Sequence, residues 1–492
     1  MANIIVVGAG SAGCVVAARL SESGDHQVTL LESGPDEFDA MTAGQLASLN
    51  WLEALKATGA FASRLMATRL GTDAPREYQR GRGVGGSGLV NAMLALPGLP
   101  SDYDGWATDY GLGEWSWSEV EPWFARLKKD VTASGPEQYT PIDQATVAAA
   151  TSFGLPSDVD TYGPDDGGGA LWRHADERGR RSSREAYLDP ARSRANLVVR
   201  PNSEVLRLVM EGDRATGVEL ADGTLLEADE VVLCAGAIES PAVLLRTGVN
   251  HRGIGKRLQD HPAASVYLRL KPEYRAAEAS GPCIGSVLRL SSSNGEGDLH
   301  FLPLHGPLAP TEPETHGVLM AAVMRVTSRG EVSLNPDDPN GPPVTAENML
   351  STPEDRRAMR EAVRLLQRLV ATEPFQEIVE SVFIDTEGTP LSALDDEPTY
   401  EAWLDSSVGD YFHAVGTVRM GRSDDDDAVV DQRGRVLGVR HLRVIDASIM
   451  PDVPRANTHL PTVMVAERLS AAMLDDLAEA TTHEGVHHVA AQ

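Results

Sequence analysis

Three glycines near the start of the chain have the spacing needed to hold a phosphate. Gly8, Gly10 and Gly13 follow the apolar run Ile4–Val7 in a G-x-G-x-x-G pattern. Gly8 allows a tight turn, Gly10 lets backbone approach a pyrophosphate, and Gly13 lets a helix lie close to the preceding strand. The helix N-terminus then offers N–H groups and a positive dipole end. A second apolar run, His26–Leu31, ends at Glu32, placed where a carboxylate holds a ribose hydroxyl pair. Strand, glycines, helix, strand and acid in this order predict a dinucleotide site, and NAD and FAD both fit it.

A second block, Arg80–Met93, carries five glycines interleaved with Val84, Leu89, Val90 and Met93. So many glycines suit backbone wrapped around a ligand, and the apolar residues set the block apart from a solvated linker.

These residues need a scaffold. Glu230–Gly236 repeats the opening logic, a buried strand running into glycine, with Ser240 expected to cap a helix beginning at Pro241. Asn196–Arg207 and Arg214–Leu220 alternate like strands, with a hairpin turn at Asp222-Gly223. Ser265–Leu270, Ser286–Leu290, His300–Leu304 and Leu319–Val326 alternate in a way that predicts an antiparallel sheet, and Glu354–Val370 predicts a helix. Val120, Trp123, Phe124 and Leu127 predict a further amphipathic helix. Leu442–Ser448 reads as a buried strand entering a small-residue turn, and Pro461 marks a helix start. The fold class is therefore α/β (α+β overall), a Rossmann-like domain with a second domain on an antiparallel sheet. The divisions are 1–125 with 192–265 and 412–475 for the first, 126–191 with 266–411 for the second, and a tail at 476–492, frayed from Thr481.

The chain has 492 residues and a formal charge of −29. An acidic surface repels nucleic acid and anionic lipid, so neither is an expected partner. No apolar run is long enough for a membrane span, and no leader peptide is expected. Cys14, Cys234 and Cys283 are too few for a disulfide framework and read as buried thiols of a cytoplasmic protein. The four aspartates Asp424–Asp427 read as a solvated loop. No metal site is expected, and the tail histidines His483, His487 and His488 are a weak metal signal.

With these motifs in place, the chain resembles the glucose–methanol–choline (GMC) oxidoreductases from residue 3 to about 472. Arg80–Met93 is similar to the family's first signature and Gly236–Gly248 to its second, with Arg246-Thr247 where Ser-Gly is common. Leu258–Pro262, Ser328–Gly330, His413–Thr417 and Asp446–Ser448 also match family motifs. The resemblance implies a p-hydroxybenzoate-hydroxylase-like FAD domain with a substrate domain over the flavin ring. It implies ADP contacts at Gly8, Gly10, Ser11, Ala12, Gly13, Glu32 and Ser33, with Arg82, Val84, Gly86 and Ser87 in the glycine block. Val205 is implied at the adenine, Ala235 and Gly236 at the pyrophosphate side, and Asn91, Ala92 and Met93 at the flavin edge. Asp446 and Ala447 are implied at the ribityl region and Thr462 at the pyrimidine. Some members tether FAD through a His where this chain has Val90, so noncovalent FAD is expected.

The resemblance also implies the chemistry, oxidation of an alcohol CH–OH group by hydride transfer to flavin N5. His413 is the matched base, since a neutral imidazole accepts a proton near pH 7. Asn457 cannot be a base and would orient the substrate oxygen. His261 reads as structural, and His459, where Asn is usual, is left without a role. A helix starting at Pro461 would aim its positive end at charge forming on the flavin. Tyr411, Phe412 and Phe301 are pocket candidates. The partners implied are a small alcohol and an electron acceptor (oxygen, a quinone or another redox carrier). Overall likeness points to the choline-dehydrogenase-like members and, within the family, to a mycofactocin-associated branch. Other readings stay open: an NAD dehydrogenase, a lyase using FAD structurally, a mycofactocinol-oxidising dehydrogenase, and a flavin-binding protein without activity. The NAD reading leaves Arg80–Met93 without a task.

Overall fold

The computed structural model describes residues 1–71, 73–275, 281–307 and 310–489, with side chains described to residue 479. The histidines His483, His487 and His488 lie outside the described side chains. The opening strand, Asn3–Val7, runs between Gln27–Leu31 and Glu230–Leu233. Leu197–Arg200 and Leu442–Val444 complete a five-stranded sheet on either side. Every pairing is parallel, so each strand is reached by a crossover. The first crossover is the helix Ser11–Leu20. A Cβ on Gly13 would lie 1.8 Å from the Gly8 carbonyl oxygen, so only glycine lets this helix sit so close to the strand. Ligands of such sheets bind beyond the strands' carboxyl ends. Here those ends deliver Gly8, Glu32, Ala235 and Asp446 to one edge.

The run Asn196–Arg207 is two strands, not one. Pro201 and Asn202, the latter at φ 52°, break it. Leu197–Arg200 stays in the parallel sheet, while Val205–Glu211 joins Arg214–Leu220 and Leu225–Glu227 in a three-stranded antiparallel sheet. The Asp222-Gly223 turn stands where expected, with Gly223 donating to the Leu220 carbonyl at 2.9 Å.

The helix expected from Pro241 begins earlier and spans Gly236–Thr247. Proline inside a helix leaves the carbonyl four residues back without its N–H partner. That carbonyl belongs to Ala237, and the Thr417 hydroxyl donates to it at 2.7 Å. Ser240 does not cap; its oxygen accepts from the Ala235 N–H at 3.1 Å and its hydroxyl donates to Asp446 at 2.6 Å.

The antiparallel sheet has the order Val379–Phe383, Pro262–Leu270, Gly317–Val323, Gly295–His305, Ser286–Ser292, Gly167–Ala170. Its alternation separates two faces. Val266, Leu268, Leu288, Phe301, Leu319 and Ala321 pack under Ala358, Met359, Ala362 and Leu366 of the helix Pro353–Val370. Ala263, Leu302, Leu304 and Val318 point the other way. Phe301 is therefore core, buried on the helix side, and not a pocket residue. The edge strand Gly167–Ala170 is almost all glycine and invisible to a strand pattern. Packing explains it, since a Cβ on Gly169 would lie 2.2 Å from the Val159 carbonyl oxygen.

The amphipathic helix is Trp117–Leu127 and buries Val120, Phe124 and Leu127. The three cysteines are buried and unpaired. Asp424–Asp427 are ion-paired with Arg422, Arg419 and Arg252. The last helix runs His459–Val489, with Pro461 in its first turn, and so continues through most of the expected tail. Among the described residues no helix is long and apolar enough to cross a membrane.

Candidate functional site

A cavity of about 730 Å³ lies along the carboxyl edge of the parallel sheet and reaches both Glu32 and His413. Gly8, Gly10, Ser11, Ala12, Glu32 and Ser33 line it, as do Arg82, Gly86, Ser87, Asn91, Ala92 and Met93. So do Val205, Ala235, Gly236, Asp446, Ala447, Asn457 and Thr462. Two expected residues do not line it. Gly13 is spent on the strand–helix contact, and Val84 is fully buried, its N–H donating to the Pro35 carbonyl at 2.9 Å.

The cradle suits a dinucleotide. No side chain caps the helix at Gly10, which leaves its first-turn N–H groups to a ligand. The glycine block closes over this turn: Gly85 N–H donates to the Ala9 carbonyl at 2.7 Å. A Cβ on Gly86 would lie 2.6 Å from Gly10 Cα, so that approach requires glycine. Glu32 ties the parts together. It accepts from Ala9 N–H at 3.0 Å, Gly34 N–H at 2.8 Å, Gly83 N–H at 3.1 Å and the Ser33 hydroxyl at 3.1 Å. Glu32→Gln sets an amide N–H₂ against some of these donors. We expect about 10- to 100-fold weaker dinucleotide affinity, measured by titrating the apoprotein, and unchanged affinity would contradict the tie.

His459 gains a position. Its Nδ1 meets Ser11 Oγ at 2.8 Å, and its ring stands edge-on to His174 with centroids 4.4 Å apart. Burial, with Arg180 adding, lowers its pKa to about 4. The neutral ring pins the start of the last helix to the start of the first.

At the other end, His413 is held from three sides. Its N–H donates to Asp260 at 2.8 Å, and Asp260 also accepts the His261 N–H at 2.7 Å. Its Nδ1 meets His261 Nδ1 at 2.9 Å, and Asn457 Nδ2 lies 3.3 Å from its Nε2. Burial drives the His413 pKa well below the ordinary imidazole range, and His261, Arg80 and His300 push the same way. Burial brings His261 to about 3. Both rings are neutral near pH 7, so one proton is shared between the two Nδ1 atoms. The Asn457 amide nitrogen can only donate, so its contact calls for the lone pair on His413 Nε2. Between the two Nδ1 atoms, that leaves His261 as the acceptor. His413 then carries its proton on Nδ1 and a lone pair on Nε2.

Sequence reasoning missed the supports. Arg80 stacks on Tyr78 and donates to the Phe412 carbonyl at 2.7 Å, while Tyr78 donates to Asp260 at 3.2 Å. Arg455 fixes the Asn457 loop through Asp102 at 2.7 Å and Ser101 at 2.6 Å. Asp260, His261 and His413 place ligand-type atoms within 4.8 Å of one another. Asp260 accepts the backbone N–H groups of His261 and His413, and the two rings meet through their Nδ1 atoms. Tyr411 and Phe412 line the cavity as expected, with the Tyr411 ring edge-on to His413.

Comparison with known proteins agrees with this geometry. GMC oxidoreductase family models match residues 2–263 and 326–466. A 5-(hydroxymethyl)furfural oxidase of Methylovorus sp. is 34% identical, over 96% of this chain and 98% of its own. A mitochondrial choline dehydrogenase of Mus musculus is 32% identical, over 95% of this chain and 88% of its own. The crystal structure of a pyridoxine 4-oxidase from Mesorbium loti superposes with a TM-score of 0.83 at 26% identity, covering 96% of this chain and 99% of that one. The two family models together span most of the chain, and the chain belongs to the GMC oxidoreductases.

Proposed function

We propose that this FAD-dependent oxidoreductase oxidises the CH–OH group of a small alcohol, with His413 as base and Asn457 orienting the substrate oxygen. The observation that supports it most is the order of protons in the histidine pair. His413 Nε2 is unprotonated and faces the Asn457 amide. A hydroxyl placed between them gives its proton to Nε2 and keeps a hydrogen bond from Asn457 Nδ2–H. The charge arriving on His413 is shared through Nδ1–H to His261. FAD, when bound, accepts the hydride at N5. Ser11, Glu32, Asn91, Asp446 and Thr462 are the residues we assign to hold it. Val90 lines the cavity and carries no nucleophile, which favours noncovalent attachment. In this reading 1–125, 192–265 and 412–475 carry the cofactor, and 126–191 with 266–411 carry most of the substrate side. The named relatives, an oxidase of a hydroxymethyl furan and a choline dehydrogenase, act on alcohols, in keeping with this assignment.

Anaerobic mixing of the holoenzyme with an alcohol panel tests the reading. A substrate bleaches the flavin, whereas an acid–base lyase leaves its colour unchanged. Reoxidation by oxygen, quinones and dyes then ranks the acceptors. The pH profile gives a second check. An imidazole of ordinary pKa near 6.5 loses about tenfold of its base form between pH 7.5 and 5.5. Because His413 is depressed well below that value, its base form persists as pH falls. We expect kcat/KM to change by less than about twofold across that window, and a tenfold fall would contradict the assignment.

A further inference from the structure

The face of the antiparallel sheet turned toward the cavity forms one wall near His413. Alternation places Ala263, Ser265, Leu302, Leu304, Val318 and Met320 there, all lining the cavity. The register locks them together: Ser265 and Leu302 both pair with Met320, and Leu304 pairs with Val318. Apart from the Ser265 hydroxyl, this wall carries no side-chain hydrogen-bonding group. The same apolar cluster takes in Tyr411, two residues before His413, and Ala456, next to Asn457. The body of any alcohol whose hydroxyl reaches His413 Nε2 therefore rests on it.

The carboxylates that line the cavity are Glu32, Glu204, Glu239, Asp410 and Asp446. Glu32 and Asp446 are engaged by backbone and hydroxyl donors. Glu239 faces Arg246 at 3.5 Å, with Glu204 beside it. Asp410, adjacent to Tyr411, is ion-paired with Arg69 at 2.5 Å, and its other oxygen is buried without a hydrogen-bond partner. A cationic group on this wall would lose its water, and the carboxylate adjacent to Tyr411 is already paired with Arg69, its second oxygen buried.

Given oxidation at His413, we infer that the substrate class is uncharged alcohols with an apolar body, and that cationic alcohols are rejected. Discrimination comes from the sheet wall, with Met320 and Ser265 at its centre. It sets this site apart from what a choline-oxidising relative must accommodate.

The test uses the holoenzyme and two arylmethanols of the same shape, 4-tert-butylbenzyl alcohol and its cationic isostere, 4-(trimethylammonio)benzyl alcohol. Their methyl ethers lack the hydroxyl proton and report binding alone, read as a perturbation of flavin absorbance. We expect the neutral ether to bind at least about 100-fold tighter than the cationic one. Met320→Glu places a carboxylate on the wall and should cut that ratio to about tenfold or less; Ser265→Asp, on the paired strand, repeats the test should Met320→Glu fold poorly. Equal binding, preference for the cation, or no binding of the neutral ether overturns the inference. If the ethers discriminate but neither alcohol bleaches the flavin, the substrate class stands and the oxidation reading falls. If the alcohols bleach it without discrimination between the ethers, the reverse holds.

Discussion

His413→Asn lowers the rate of anaerobic flavin reduction by about 10³- to 10⁴-fold and leaves the protein folded with its cofactor. General base catalysis contributes about 10²- to 10⁴-fold, and in the mechanism we propose the base also holds one side of the site for the substrate oxygen. The fold survives because the backbone does the anchoring. The His413 N–H donates to Asp260, and an asparagine keeps that bond. The asparagine amide also reaches part of the way toward His261. Stopped-flow reduction with saturating alcohol measures the loss, and the flavin-to-protein absorbance ratio checks occupancy. A variant that reduces its flavin at the wild-type rate would remove His413 from the mechanism. His261→Asn acts indirectly and should cost less, about tenfold to 10²-fold, because a carboxamide does not fix the His413 tautomer as the imidazole does.

The parts of this site that were legible in the sequence are those where one residue type alone satisfies a backbone demand. Gly13 is an example: the contact at 1.8 Å admits no Cβ, so the fingerprint spacing carries its own geometry. The period-two runs were equally direct, since the sheet buries both faces and each strand must sort its residues between them. The same parity that revealed the sheet could have excluded Phe301, which shares the helix-facing set with Leu299 and not the cavity-facing set with Leu302 and Leu304. What could not be read were partnerships formed by long-range packing. His261 and His413 are 152 positions apart and meet because Pro262-Ala263 pairs with Gly409-Asp410. Nothing near either histidine announces that pairing. The Gly167–Ala170 strand failed for a related reason: its glycines respond to neighbours from Val147 and Val159, not to an intrinsic strand preference.

Asp446→Ala should destabilise the protein by about 3–5 kcal/mol and strip its flavin. Asp446 is fully buried and accepts four hydrogen bonds: Gly236 N–H at 2.8 Å, Ser240 Oγ at 2.6 Å, Ser448 N–H at 2.8 Å and Ser448 Oγ at 2.5 Å. Burial pushes its pKa up, and these four donors pull it back. The donor order is settled by the chain itself. Ser240 Oγ accepts from the Ala235 N–H, so its own proton goes to Asp446. The carboxylate therefore joins the ends of two parallel strands and the start of the Gly236–Thr247 helix at the cavity wall. Alanine leaves two backbone N–H groups without partners and releases both hydroxyls, which removes the common anchor of Ala235, Gly236 and Ala447. Asp446→Asn keeps one oxygen for Ser448 but turns an N–H₂ toward the Gly236 N–H. It should cost about half as much and weaken the flavin without abolishing its binding. Urea unfolding of the apoproteins gives the stability order, wild type above Asn above Ala, and flavin titration gives the affinity order. Equal flavin affinity across the three would show that Asp446 serves the sheet edge alone and not the cofactor cradle.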